Sequence, residues 1–155
     1  MAPRFEYRQA EEIRDSFARH GVRHLFIGKA GAILLGYPDT TQDADLFLEK
    51  TEANGSAAVR ALSELGFDLS DAQAAEIRRG KDFVQLKNGP FDLDLVFAPD
   101  GIDSFEAAWR RRVEVEGFTV CHPEDIIRSK EAETLPRLRA FLDYWRRTAR
   151  QRDPP

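Results

Sequence analysis

HLFIGKAGAILLGYPDTTQDADLFLEK, residues 24–50, is the stretch that decides the fold. Its pattern predicts, in order, an apolar strand over residues 24–27, a turn at Gly28, a short helix over residues 30–35 and a second strand over residues 43–48. Side chains alternate between the two faces of a strand, so Asp43 and Asp45 share one face. Because aspartate is depleted in strands, this pair indicates either a bound divalent cation or a strand face exposed to water.

A second pair of aspartates occurs in FDLDLVF, residues 91–97. This run predicts a strand that returns from a hairpin turn at Asn88-Gly89, with Asp92 and Asp94 on one face. If the two Asp-x-Asp strands meet in one sheet, three or four carboxylates gather, and their mutual repulsion raises their pKa values. Ligands that are all oxygen favour hard cations, so such a cluster predicts Mg²⁺ or Mn²⁺.

The rest of the chain shows further helix and strand patterns. Apolar spacing and capping residues predict helices over residues 9–20, 57–65, 71–79 and 104–112, a helix that begins at Pro123, and a last helix over residues 136–150. Strands are predicted over residues 83–87 and 113–121, the second with a bulge or tight turn at Gly117. Residues 50–56 are predicted to be a loop, and the tail over residues 150–155 to be disordered.

The composition is typical of one globular domain. Of the 155 residues, 42% are hydrophobic and 32% are charged. The net charge is -4, from 23 Lys and Arg against 27 Asp and Glu, which argues against a general nucleic-acid binder but leaves room for a local basic patch. The single cysteine excludes an internal disulfide, and the polar N-terminus does not resemble a signal peptide, so we expect a cytoplasmic protein.

Residues 27–48 resemble the signature of the nucleotidyltransferase (polymerase-beta-like) superfamily, which consists of a hydrophobic strand, a glycine turn, a short helix and Asp-x-Asp. The run GFTVCHPEDIIRSKEAE, residues 117–133, is similar to small bacterial members related to abortive-infection toxin nucleotidyltransferases. The resemblance covers residues from about 10 to 135. It implies an α+β fold over residues 1–135, a small mixed β-sheet with helices packed mainly on one face. We expect residues 136–155 to add a C-terminal helix to that domain.

The resemblance also implies which residues form the metal site. Asp43 and Asp45 match the metal-binding pair of the superfamily, and Asp94 matches its third carboxylate. Asp92 is the alternative for that third position. The matched residues would bind Mg²⁺ or Mn²⁺ and carry the catalysis.

A second group of residues would bind the nucleotide. Gly28 and Lys29 match the turn whose backbone amides contact nucleotide phosphates, and Thr41 matches a threonine of the superfamily. Lys130 shares a helix face with two isoleucines, from which it could either reach the phosphates or extend into solvent. Arg139, Arg146, Arg147 and Arg150 cover the polar side of the last helix, where they either are solvated or contact an RNA acceptor or a partner protein.

These residues lead to one expected function and two alternatives. We expect a metal-dependent nucleotidyltransferase that moves a nucleoside monophosphate from a triphosphate such as ATP to an acceptor, which could be a small molecule, a tRNA end or a protein. One alternative is a catalytically silent binding module, an antitoxin, toxin partner or nucleotide sensor. It is suggested by Lys29 in place of a small residue, by Asp39 in place of the usual arginine, and by a chain without a large second domain. The other is a phosphodiesterase that uses the same carboxylates.

Overall fold

The computed structural model describes residues 5–87 and 89–152, without the side chains of residues 131–138 and 150–152. The described residues form seven helices and six strands. In chain order these are α1 (Tyr7–His20), β1 (His24–Ile27), α2 (Gly28–Leu34), β2 (Asp43–Leu48), α3 (Glu52–Glu64), α4 (Asp71–Arg79), β3 (Phe83–Leu86), β4 (Asp92–Val96), α5 (Phe105–Arg111), β5 (Val113–Val115), β6 (Phe118–Val120), α6 (Pro123–Ser129) and α7 (Glu131–Arg152). The predicted α+β fold is confirmed.

All six strands belong to one mixed sheet, in the order β3-β4-β2-β1-β6-β5. The pairs β2-β4 and β1-β6 are parallel, whereas β1-β2, β3-β4 and β5-β6 are antiparallel. β2 therefore lies at the centre, with β4 on one side and β1 on the other. This arrangement brings the two Asp-x-Asp strands side by side.

The core lies against one face of the central strands. Ala44, Leu46, Leu93 and Leu95 alternate with the aspartates of β2 and β4, and all four are completely buried. Burial of such side chains is the main force that fixes strand register, because a shift of one residue would move them to the other face. The same alternation orients the aspartates to the opposite face.

The start of α3 contradicts the predicted loop over residues 50–56. The helix begins at Glu52, because the Thr51 side chain accepts a hydrogen bond from the Asn54 amide at 3.1 Å and so caps the helix. Asn54 is buried, and its side-chain amide donates to the carbonyl groups of Arg23 and Glu49. Asn-Gly is a common turn sequence, but here tertiary contacts of Asn54 favour the helix.

Other predicted boundaries need smaller corrections. α7 runs from Glu131 to Arg152, so it starts five residues before the predicted position and extends into the tail that was expected to be disordered. Residues 153–155 of that tail, and Asn88 of the predicted hairpin turn, lie outside the described residues. The predicted strand over residues 113–121 is divided into β5 and β6 by a tight turn at which Glu116 and Gly117 both have positive φ.

A buried ion pair connects α5 to the start of α6. Asp125 is completely buried, and its carboxylate accepts two hydrogen bonds from Arg111, at 2.9 and 3.1 Å. Arg128 approaches the same carboxylate at 3.4 Å. Because an arginine that donates two hydrogen bonds to one carboxylate has a restricted geometry, this pair fixes the orientation of α6. Lys130 lies at the end of the same helix. Among the described residues, no helix has the length and apolarity needed to cross a membrane.

Candidate active site

The register of the parallel strands β2 and β4 aligns the four aspartates in two rows. Asp43 pairs with Asp92, and Asp45 pairs with Asp94. Residues that are directly opposite in neighbouring strands point to the same face, so all four carboxylates lie on one face of the sheet. The sequence predicted that the two aspartates of each strand share a face. The register, which places the two pairs side by side, is known only from the structure.

Asp45 and Asp94 are direct neighbours on adjacent strands, so a proton on one carboxyl group can form a hydrogen bond to the other. Burial and, to a smaller extent, the negative charge of Asp94 together raise the pKa of Asp45 to about 7. Burial also raises the pKa of Asp94, which is 9% exposed. Near neutral pH, the two carboxyls therefore hold one proton between them for much of the time.

Two lysines and a glutamine surround this pair. The charge of Lys130 favours ionised Asp45, and the charge of Lys87 does the same for Asp94. Gln85 lies opposite Asp94 in the β3-β4 ladder and contributes a hydrogen bond to its carboxylate. The sequence analysis did not single out Gln85 or Lys87. Their alternate positions on the strand that enters the hairpin could have shown that they share a face with Asp94.

Gly28 packs directly against the Asp45 carboxylate. Its φ of +66° lies in the left-handed region, and an added Cβ would come within 2.4 Å of Asp45 Oδ2. α2 begins at this glycine, two residues before the predicted start. Both the backbone conformation and the space therefore require glycine, and the turn after β1 lies in contact with the carboxylate pair.

Lys29 and Asp39, the two departures from the superfamily pattern, are paired with each other. The Lys29 Nζ atom lies 3.3 Å from Asp39 Oδ2. The loop between α2 and β2 is thereby held to the turn at Gly28. A cation at residue 29 and an anion at residue 39 thus compensate one another.

Thr41 contacts the first residue of β2 through its hydroxyl group. The hydroxyl donates a hydrogen bond to the Asp43 carbonyl at 3.2 Å. The backbone carbonyl of Thr41 also accepts a hydrogen bond, at 3.0 Å, from the backbone amide of Phe5. In this structure Thr41 orients the entry into β2, next to Asp43.

Neither the single cysteine nor the buried histidine belongs to this site. Cys121 is completely buried, and burial raises the pKa of its thiol. The Nδ1–H group of His24 donates a hydrogen bond to the Val22 carbonyl at 3.0 Å, and burial lowers the pKa of His24 to about 4. Both are core residues.

A solved structure from Thermotoga maritima, described as a "putative nucleotidyltransferase", is similar to this chain over nearly its whole length. The TM-score is 0.50, and the match covers 93% of this chain and 92% of that one at 16% sequence identity. At this identity the similarity shows the fold. The chain has a nucleotidyltransferase-like fold. Neither the protein-family models nor the curated proteins that were compared with the sequence give a match.

The sequence predicted a cation site at these aspartates, and the chemistry of their side chains is a test of that prediction. Their all-oxygen donor set suits Mg²⁺ or Mn²⁺. Two of them, on Asp45 and Asp94, are already adjacent, and a cation would replace the proton that they share. Among the described residues, however, no group of three or more His, Cys, Asp or Glu side chains has the arrangement of a metal-binding cluster. The structure therefore brings two of the expected ligands together, with Asp43 and Asp92 close by on the same face.

Proposed function

We propose that this protein is a metal-dependent nucleotidyltransferase that transfers a nucleoside monophosphate from a nucleoside triphosphate to an acceptor. The observation that carries the proposal is the buried contact between the Asp45 and Asp94 carboxyls beside the Gly28 turn. Two adjacent carboxylates, one buried and one partly buried, repel each other when both are ionised, and this arrangement is unfavourable for a structural role. A divalent cation would convert the repulsion into coordination.

The aspartates would form the metal site. Asp45 and Asp94 would hold the ion, and rotation of the Asp43 side chain, which lies on the same strand face, would add a third carboxylate. Asp92, opposite Asp43, is the alternative third ligand. When bound, the cation would neutralise the phosphates and stabilise the pyrophosphate that leaves.

The remaining residues would bind the triphosphate and activate the acceptor. The backbone amides of the Gly28 turn, which lies against the Asp45 carboxylate, would contact phosphate oxygens, and Lys29 and Lys130 would supply positive charge there. An acceptor hydroxyl oxygen would attack the α-phosphorus, its proton would pass to Asp94, and the bond to pyrophosphate would break. The toxin relationship, the use of ATP and the cytoplasmic location stay predictions from the sequence.

A silent binding module is the second candidate. Two observations favour it: Lys29 is already paired with Asp39, and no three-carboxylate metal arrangement exists among the described residues. In such a protein the same face would bind a nucleotide without transferring it. The two candidates differ in whether pyrophosphate is released.

A transfer assay tests the proposal. The purified protein would be incubated with each of the four α-labelled nucleoside triphosphates, Mg²⁺ and a cell lysate as the source of acceptors. We expect pyrophosphate and a labelled product from the wild type, and loss of both by at least about 100-fold in Asp45→Asn and Asp94→Asn, because the ligands of the metal are removed.

Asp68→Asn is the matched control, since Asp68 is an exposed aspartate in the loop between α3 and α4. It should retain wild-type activity. Binding of a triphosphate without any product would favour the silent module, and release of nucleoside monophosphate without an acceptor would favour a phosphodiesterase. Equal activity of wild type and Asp45→Asn would refute the proposed site.

A further inference from the structure

The sheet ends in two edge strands, and β3 is one of them. Its only neighbour is β4, so among the described residues no strand pairs with the outer side of β3. The pairing with β4 continues without a bulge from Phe83 to Leu86, and the strand contains neither proline nor a charged residue. Bulges, prolines and central charges are the usual features that prevent an edge strand from pairing with another chain. β3 is therefore open to a further strand.

The backbone groups on the outer side of β3 belong to alternate residues. The Asp82 carbonyl accepts a hydrogen bond from the Phe97 amide at 2.9 Å, so the backbone of Asp82 faces β4. In an antiparallel pair, residues whose backbone faces the neighbour alternate with residues whose backbone faces away. Phe83 and Gln85 therefore direct their N–H and C=O groups outward, and Lys87 continues the alternation just after the strand.

The side chains of the same three residues lie on the aspartate face of the sheet. Gln85 is opposite Asp94 in the ladder, so side chains two residues away in either direction share this face. Phe83 is 49% exposed, and Gln85 and Lys87 are also exposed. The outer edge thus has an aromatic ring at one end, an amide at its centre and an ammonium group at the other end.

A two-fold axis at Gln85 makes this edge complementary to itself. In an antiparallel pair of two β3 strands with that axis, Gln85 lies opposite its own copy, and Phe83 lies opposite Lys87 of the other copy. The ammonium group can then contact the face of the aromatic ring, which is attractive and also covers the exposed ring. The outward N–H and C=O groups of all three residues are paired in the same register.

Charge and burial favour this register over the neighbouring ones. Because the outward backbone groups belong to alternate residues, the register can shift only in steps of two residues. One shift places Lys81 opposite Lys87 of the other copy, where like charges repel. The opposite shift places Phe83 opposite Gly89 and leaves its ring uncovered.

The other edge strand, β5, has a different character. It is three residues long, and its central residue is the exposed acid Glu114, which pairs with Arg112 at 3.0 Å. A charged side chain in the middle of an edge strand is a common protection against pairing with another chain. β5 therefore provides a comparison for β3 within the same sheet.

We propose that two copies of this chain associate through β3, so that their two six-stranded sheets join into one continuous sheet. A two-fold axis perpendicular to the sheet keeps the same face of both copies on one side, so both carboxylate pairs open on the same side of the dimer. Gln85, at the axis, is the ladder partner of Asp94, and the interface therefore borders the candidate active site of each copy. The association does not depend on the proposed function.

Size-exclusion chromatography with light scattering measures the association of the full chain. We expect the mass of the wild type to rise with protein concentration from 17.7 kDa towards twice that value. A mass that stays at 17.7 kDa up to a concentration of about 1 mM would overturn the proposal.

Two substitutions at the same exposed position test the register. Both Phe83→Lys and Phe83→Glu remove the ring, but the first places like charges opposite each other at both ends of the interface, and the second places opposite charges there. We expect the dissociation constant of Phe83→Lys to be at least about tenfold higher than that of Phe83→Glu. The double variant of Phe83→Lys with Lys87→Glu should restore the dimer. Equal dissociation constants for Phe83→Lys and Phe83→Glu would overturn the proposal.

Cross-linking with a short bismaleimide locates the axis. Gln85→Cys places two thiols opposite each other at the axis, whereas Glu114→Cys, the matched control, places a thiol on the other edge strand. Cys121 is completely buried, so the wild type offers no accessible thiol. We expect covalent dimers from Gln85→Cys, and only monomers from Glu114→Cys and the wild type. Covalent dimers in equal yield from Gln85→Cys and Glu114→Cys, or none from Gln85→Cys, would overturn the proposal.

Discussion

At the scale of single residues, the proximity of Asp45 and Asp94 is unfavourable when both carboxyls are ionised and no cation lies between them. Each carboxyl is removed from water by burial and faces the other, so ionising both is costly. Lys130 and Lys87 reduce this cost but do not abolish it, because the pKa values of both aspartates stay raised. An arrangement of this kind is common where a protein binds a ligand of opposite charge.

The pH dependence of stability should reveal this cost. The pKa of Asp45 is about 7 in the folded protein and 3.8 for an ordinary aspartate, so between these values the folded state keeps a proton that the unfolded state has lost. This group therefore lowers the free energy of unfolding as pH rises from 4 to 7. Asp45→Asn should gain about 1–3 kcal/mol relative to the wild type between pH 4 and pH 8 in EDTA. Urea unfolding at several pH values measures this difference.

The exposed Asp68→Asn variant again serves as the control, and its stability profile should run parallel to that of the wild type. A constant difference between Asp45→Asn and wild type across this pH range would mean that the two carboxyls do not share a proton.

The Lys29–Asp39 pair leads to a second prediction at this scale. If the Gly28 turn meets phosphates, Lys29→Ala should weaken triphosphate binding by about 1–3 kcal/mol, as expected for a charge-assisted contact. Asp39→Asn should strengthen binding, because the carboxylate no longer competes for Lys29. Titration of both variants with a triphosphate and Mg²⁺ provides the measurement. Affinities indistinguishable from wild type in both variants would show that this turn does not contact phosphate.

At the scale of elements, the orientation of α6 depends on the ion pair between Arg111 and Asp125. The Asp125 side chain is 1% exposed, so removal of Arg111 would leave its buried charge to the more distant Arg128, at 3.4 Å. We expect Arg111→Ala to lower the free energy of unfolding by about 2–3 kcal/mol. Arg110→Ala, at the exposed neighbouring position of α5, should change it by less than about 0.5 kcal/mol.

Chemical denaturation of the two variants compares these effects directly. If Arg111→Ala and Arg110→Ala are equally stable, the pair does not fix α6, and the approach of Lys130 to Asp45 needs another explanation.

At the scale of the whole molecule, the sequence predicted most elements because their signals are local. The strands β1 and β2 and the helix α4 have the predicted ends, and α4 is capped by Ser70, whose side chain accepts a hydrogen bond from the Gln73 amide. The start of α3 was not predicted because it depends on tertiary hydrogen bonds. The Asn54 side chain donates to the carbonyl of Arg23, which is distant in the chain, and to that of Glu49, in the loop before α3. Propensity cannot include such contacts.

The candidate site was predictable only in part, because some of its features are local to a strand and others depend on how the strands pair. Alternation along each strand assigns the aspartates to a face, but only the register of β2 with β4 pairs Asp45 with Asp94 rather than with Asp92. The roles of Gln85 and Lys87 depend on β3 lying next to β4. The choice of Asp94 over Asp92 as the partner of Asp45 is thus a result of tertiary structure, while the metal ligands stay a proposal.

The most direct test of metal-dependent nucleotide binding at Asp45 and Asp94 is calorimetry with nonhydrolysable α,β-methylene analogues of the four nucleoside triphosphates. Each would be titrated into the wild type with Mg²⁺ and with EDTA, since a triphosphate is repelled by the carboxylates unless a cation lies between them. We predict at least about tenfold tighter binding of one analogue with Mg²⁺, and loss of this difference in Asp45→Asn but not in Asp68→Asn. Equal affinity with Mg²⁺ and with EDTA, or no binding of any analogue, would contradict the account.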